Sequence, residues 1–211
     1  MPAAYEGFKE VAVKIQGQSF FTNMGFETGD FTGWSHESHT WKKPAPGSYT
    51  PEKSAIVTQD DDYIAGPFIS QVYLGNYSTR VNSGDDKWHI STISQTATVP
   101  DVINPIVEFY WAAVLEDPNH PSADQPYLNI TVKDENTGYY LYQRHFYSND
   151  PAYSGWISIL DQYQSLWRCI AWQKVFFSLA SAVGHDITIN VEAADCGEGA
   201  HGGYVYVDGL D

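Results

Sequence analysis

Hydrophobic and polar residues alternate with period two along much of this chain. Leu128, Ile130 and Val132 alternate with Asn129, Thr131 and Lys133, the pattern of a strand with one buried face. Residues 107–115 (VEFYWAAVL) are almost continuously apolar and predict a mostly buried strand. Residues 95–99 alternate and stop at Pro100. The turn at 134–138 (DENTG) leads into 139–147, rich in Tyr and Phe, which predicts a hairpin. Residues 172–179 and 187–191 predict a second hairpin through 180–186, and 204–207 a short last strand. Helical periodicity is scarce: only 158–166 and 179–183 read as short helical turns. Pro, Gly, Asn and Asp punctuate nearly every connection. Many short strands separated by turn signals predict an all-β antiparallel β-sandwich of jelly-roll type, with few or no helices.

The length of 211 residues fits one large domain. Residues 22–211 form the expected sandwich, and residues 1–21 stand apart as an N-terminal extension. The apolar run at 11–15 fits an extra strand, a linker or an oligomer contact; the last would give a homo-oligomer. Charge narrows the function classes. There are 26 Asp and Glu against 11 Lys and Arg, a formal net charge of −15. Nucleic-acid binding is excluded as an expectation, because phosphates are neutralised by cationic side chains. No apolar run reaches the roughly 18 residues of a membrane span, so membrane insertion is not expected. Residues 1–10 lack the basic and apolar regions of a signal peptide. Low Lys content and abundant Tyr, Asn, Ser and Thr place the chain outside the cell or at its surface, as a segment of a larger protein.

Two motifs frame the sandwich. Residues 23–34 read NMGFETGDFTGW, and residues 194–208 read ADCGEGAHGGYVYVD. The pair resembles the galactose-binding-like β-sandwich domains, which include carbohydrate-binding modules and lectin-like domains of secreted and surface bacterial proteins. The resemblance extends over about residues 22–208. It implies that the first motif opens the first strand and that the closing YVD is the last strand. It also implies a structural Ca2+ held by Glu27 and Asp208, with Asp30 as a weaker candidate in the same loop. The donor chemistry agrees, since calcium takes six to eight oxygens from carboxylates and main-chain carbonyls.

Cys169 and Cys196 fall in segments assigned to the second hairpin, which makes a cross-strand disulfide geometrically feasible; two small buried thiols are the alternative. Zinc is not expected, because two cysteines and His201 lack a paired CxxC or HxxxH spacing. His36, His39, His120 and His201 read as surface or scaffolding residues. No GxSxG, HExxH or P-loop occurs, so no catalytic residue is assigned.

Sugars present apolar C–H faces rimmed by hydroxyls, and proteins meet them with aromatic rings and planar hydrogen-bonding groups. Trp41, Tyr49, Trp88, Tyr153 and Trp156 lie in polar loops and are the ligand-binding candidates. Tyr140, Tyr142 and Arg144 share one strand face by period two and offer a second platform. Phe109, Trp111, Trp172, Phe176 and Phe177 sit in strand patterns and read as core, and Trp34 as a structural plug. The expected function is non-catalytic glycan binding by loop aromatics, the partner being a glycan or cell-surface polysaccharide. An adhesion or protein-interaction module without a sugar platform is the alternative. A small hydrolase or lyase on the same fold is the third reading.

Overall fold

The computed structural model describes residues 20–42, 46–48, 50–85 and 88–209. The segment 11–15 and Tyr49 lie outside the described residues. Two antiparallel sheets face each other. One has five strands in the order β1 (Ser35–Thr40), β4 (His89–Thr98), β10 (Asp186–Ala194), β6 (Tyr127–Asp134) and β7 (Tyr140–Tyr147). The other has six, in the order β2 (Ala55–Thr58), β3 (Tyr77–Val81), β11 (Gly203–Gly209), β5 (Ile106–Glu116), β9 (Leu166–Ser178) and β8 (Ile157–Leu160). This is an antiparallel β-sandwich, the fold class that the strand pattern predicts.

Period-two alternation sorts side chains between the faces. Leu128, Ile130 and Val132 of β6 pack against Val107, Phe109 and Trp111 of β5 in the main core. Phe21 is buried in this core as well. Trp34 is its plug: the ring stacks on Phe26 at 5.3 Å and its indole N–H donates to the Asn23 carbonyl at 3.0 Å. The other face of the six-stranded sheet carries a second cluster, built from Ala112, Val114, Trp167, Cys169, Tyr204 and Tyr206. The connection from β2 to β3 crosses over it. Asp62 there accepts the Tyr204 and Tyr206 hydroxyls at 2.9 and 2.7 Å. Strand β5 is therefore buried on both sides over its C-terminal half, where Ala112 and Val114 join the second cluster.

A buried polar network ties the sheets together at one end. The Asn82 amide, just past β3, donates to Asp195 at 2.9 Å and to the Gly203 carbonyl at 2.8 Å. Its oxygen accepts from Ser91 of β4 at 3.1 Å, and Asp195 also accepts the His89 backbone N–H at 2.8 Å. Asn82 has φ of 68°, a left-handed conformation that Asn tolerates better than most residues.

Three sequence expectations are corrected. Residues 172–179 and 187–191 do not form a hairpin: β9 pairs with β5 and β8, and β10 pairs with β4 and β6 in the opposite sheet. The 3-10 turn Ala180–Ala182 carries the chain across, where a helical turn was expected at 179–183. The disulfide falls with the hairpin. Cys169 lies opposite Val114 and Ile157, and both cysteines are free and fully buried. Burial pushes the Cys169 thiol up to about 12. Residues 158–166 hold no helical turn; β8 occupies Ile157–Leu160, and Asp161 caps the turn back into β9 through Ser165.

Candidate functional site

The outer face of the six-stranded sheet divides in two. The crossing connection seals the half around Tyr204 and leaves the half around β5 and β9 open. In the antiparallel register Glu108 lies opposite Phe176 and Tyr110 opposite Lys174. Each of these four faces away from the core, since Val107, Phe109 and Val175 point inward. Tyr73, from the crossing connection, leans onto this surface, its ring centroid 4.3 Å from Tyr110 and 5.5 Å from Trp172. Trp172 in turn lies 6.2 Å from Tyr206 and is held by its indole N–H donating to the Ser70 carbonyl at 2.9 Å.

The result is a continuous aromatic run, Tyr206, Trp172, Tyr73 and Tyr110, that continues through the Lys174 stem to Phe176. The ammonium of Lys174 sits 5.7 Å from the Tyr110 ring and 5.0 Å from the Phe176 ring. It bridges to Glu108 at 2.7 Å, and the Tyr110 hydroxyl donates to the same carboxylate at 2.7 Å. Burial disfavours the Glu108 anion, but these two donors outweigh it and hold its pKa below the ordinary value. At the surface, Tyr73 is 46% exposed and Phe176 56%. Large rings at that exposure are costly to leave in water and mark contact surfaces. Phe176 corrects the sequence assignment to the core: it points outward, while Phe177 packs on the main core and Trp172 is half-buried against the second cluster.

The loop aromatics expected to bind ligand do not converge. Trp41 and Trp88 meet at one end of the sandwich, where the Trp41 backbone N–H donates to the Trp88 carbonyl at 2.6 Å. Lys42 covers the Trp41 ring at 4.7 Å, and Tyr127 meets its edge at 5.2 Å. A shallow pocket of about 340 Å³ opens there, lined by His39, Trp41, Lys42, Pro46 and Ile90 among others. Trp88 packs so tightly on Gly199 that a Cβ on that glycine would fall 2.1 Å from the indole. Tyr153 and Trp156 lie elsewhere, on the link from β7 to β8. Their rings meet edge to face at 5.4 Å and pack against the core rim. The second platform also changes. A bulge at Val132/Lys133 puts Tyr140 opposite Lys133 and Tyr142 opposite Val132, so Tyr140 leaves the face that Tyr142 shares with Arg144. Arg144 lies over Tyr142 at 4.9 Å at the exposed sheet edge.

Glu27 and Asp208 both reach the connection before β3, but they meet amides. Glu27 accepts the backbone N–H groups of Asn76 and Tyr77 at 2.8 and 3.0 Å and the Asn76 side-chain amide at 3.0 Å. Asp208 accepts those of Tyr73 and Leu74, each at 2.8 Å, and of Gly209 at 2.7 Å. Asp30 is exposed, and its Oδ1 accepts from the Thr28 hydroxyl at 2.7 Å and the Thr32 backbone N–H at 2.9 Å. Every oxygen of Glu27 and Asp208 thus accepts an N–H, and calcium needs six to eight oxygen donors at one point. This donor set does not fit the ion. The two carboxylates clamp the loop that carries Tyr73. Millimolar calcium added to metal-stripped protein is expected to leave the thermal midpoint unchanged. Glu27→Ala, by contrast, should lower it by the equivalent of about 1–3 kcal/mol. Differential scanning calorimetry reads both.

Burial pushes Asp208 up to about 6, against the three amides that favour its anion. Burial also raises Asp195. Asp208 is more protonated in the folded chain than in the unfolded chain between about pH 4 and pH 6, so folding is stabilised as pH falls through that window, and Asp195 acts in the same direction. Glu27, Glu52, Asp85 and Glu108 are shifted down, and their stabilisation is lost only below about pH 4. The thermal midpoint should therefore be highest near pH 4 and fall as pH rises to about 6. A monotonic rise up to pH 8 in a calorimetric series would contradict this.

Fold and surface together define an antiparallel β-sandwich that displays aromatic rings on one sheet. No protein family and no curated protein matches the sequence. Among solved structures, the chain is similar to the carbohydrate-binding module TmCBM61 in complex with β-1,4-galactotriose. Sequence identity is 15%, the TM-score is 0.50, and the match covers 92% of this chain and 96% of that one. It is also similar to CBM27-1 of Caldicellulosiruptor saccharolyticus in complex with mannohexaose, at 12% identity and a TM-score of 0.41, over 88% and 92% of the two chains. A Stig cyclase, Fisc from Fischerella sp. TAU, matches at 13% identity and a TM-score of 0.41, over 90% and 97%. At 15% identity the likeness to TmCBM61 bears on the fold alone. Among the described residues, no helix is long and apolar enough to cross a membrane.

Proposed function

We propose that the chain is a non-catalytic glycan-binding module whose ligand lies across β5 and β9. The observation that carries this reading is the aromatic run ending in the half-exposed rings of Tyr73 and Phe176, with the Glu108–Lys174 pair between them. Rings supply faces for sugar C–H groups, and the ion pair supplies acceptors and donors for hydroxyls. The pair is internally neutral and the chain carries −15, so a neutral oligosaccharide suits the surface better than an acidic one. The carbohydrate-binding modules that share the fold support the reading. β-1,4-Galactotriose is the natural first probe, followed by a panel of neutral oligosaccharides.

The test is isothermal titration of the purified chain against that panel, repeated with Lys174→Ala and Trp41→Ala. Removing Lys174 should weaken binding about tenfold, the worth of one charge-assisted contact of roughly 1.5 kcal/mol. Trp41→Ala should leave the affinity unchanged. Heat of binding abolished by Trp41→Ala and untouched by Lys174→Ala would move the site to the loop end.

A further inference from the structure

At the loop end, far from β9 in sequence and outside the aromatic surface, His120, Cys196 and His201 converge. One potential ligand atom from each lies within 4.8 Å of the other two. The Cys196 sulfur and His201 Nδ1 are 3.3 Å apart. In a tetrahedral zinc site, bond lengths of about 2.3 Å to sulfur and 2.0–2.1 Å to nitrogen place those atoms about 3.6 Å apart. The observed pair is within a few tenths of an ångström of that spacing. His120 brings the third donor across, its ring centroid 5.1 Å from His201. Its Nδ1 is buried and has no hydrogen-bond partner.

The two loops that carry these groups are joined before any ion arrives. The Gly197 N–H donates to the Asp124 carbonyl at 2.9 Å, and Glu116 and Gly202 exchange hydrogen bonds at 3.0 and 3.2 Å. The 196–201 loop closes on itself through the Cys196 N–H and the His201 carbonyl at 2.9 Å. Asp117 fixes the root of the His120 loop by accepting from Asn119, Gln125 and Arg168. A ligand set held on hydrogen-bonded loops loses little freedom on binding metal.

We propose that His120, Cys196 and His201 bind one Zn2+ ion, with solvent in the fourth position. Two imidazoles and one thiolate match a borderline-soft cation and exclude calcium and magnesium, which take oxygen. The cysteine thiol gives up its proton on binding, so uptake weakens as pH falls. Sequence spacing does not reveal the site, because the third ligand comes from a loop between β5 and β6.

The experiment uses the whole chain, stripped with chelator and titrated with Zn2+ and, separately, Co2+. One equivalent should bind, Zn2+ should raise the thermal midpoint, and Co2+ should give a thiolate charge-transfer band with tetrahedral visible absorption. Cys196→Ser and His120→Ala should each weaken Zn2+ binding at least tenfold, with circular dichroism unchanged. His120→Ala lies in a surface loop and keeps the test valid where Cys196→Ser disturbs packing. Absence of uptake by the folded chain, or uptake that neither variant weakens, overturns the proposal. Co2+ spectra without a thiolate band do the same.

Discussion

Alanine at both Tyr73 and Phe176 is expected to take glycan binding below detection. These two rings bracket the open half of the sheet, and no other side chain duplicates either face. An aromatic side chain central to a contact is worth about 2 kcal/mol or more when truncated. Two such losses exceed a hundredfold in affinity, because each 1.4 kcal/mol is a factor of ten. Tyr73 is fixed by Tyr110 and Trp172, and by the Asp208 carboxylate that accepts its backbone N–H. It is therefore held in place before ligand arrives, which keeps the ordering cost of binding low. Phe176 projects from a strand and packs on no core residue, so its loss should leave folding intact. The single variants should each lose tenfold or more, measured by titration calorimetry with circular dichroism as the fold control.

Asn82→Ala is expected to be the most damaging single change to stability among the polar residues discussed here. It removes both amide donors and the acceptor that Ser91 uses. The Asp195 carboxylate then stays buried with less compensation, and breaking a buried charged network in this way costs about 3–5 kcal/mol. Alanine must also adopt the left-handed backbone that asparagine tolerates there, adding to the loss. A domain of this size shifts its midpoint by roughly 2–4 °C per kcal/mol, so a fall of about 6–20 °C follows. A midpoint within 2 °C of the parent chain would show that the network is not what fastens the two sheets at that end.

The strand content was legible because period-two alternation is a direct imprint of burial on one face, as Leu128, Ile130 and Val132 show. The closing motif was legible too, since 204–207 alternates Tyr and Val between the two faces of one sheet. Pairing was not. Nothing in residues 172–191 distinguishes a hairpin from a crossing between sheets. Both the false hairpin and the false disulfide came from that one ambiguity. The same ambiguity hid the aromatic surface. Trp172 and Phe176 look like core in isolation, and only the register with Glu108 and Tyr110 shows which face each takes. Tyr73 was missed because its role depends on the crossing of the β2–β3 connection over the sheet. Glu27 and Asp208 were singled out as calcium ligands joining the first and last strands; sequence could not say that backbone amides of the connection before β3 would face them.

The account rests on the ligand lying across β5 and β9. An amide-correlated NMR titration of the chain with the tightest-binding oligosaccharide of the panel tests this most directly. The expected result is that the largest shifts fall on the amides of Tyr73, Tyr110, Lys174 and Phe176 and on the Trp172 indole N–H, with Trp41 and Trp88 still. Largest shifts at Trp41, Trp88 and their loop end, with β9 unmoved, would contradict it.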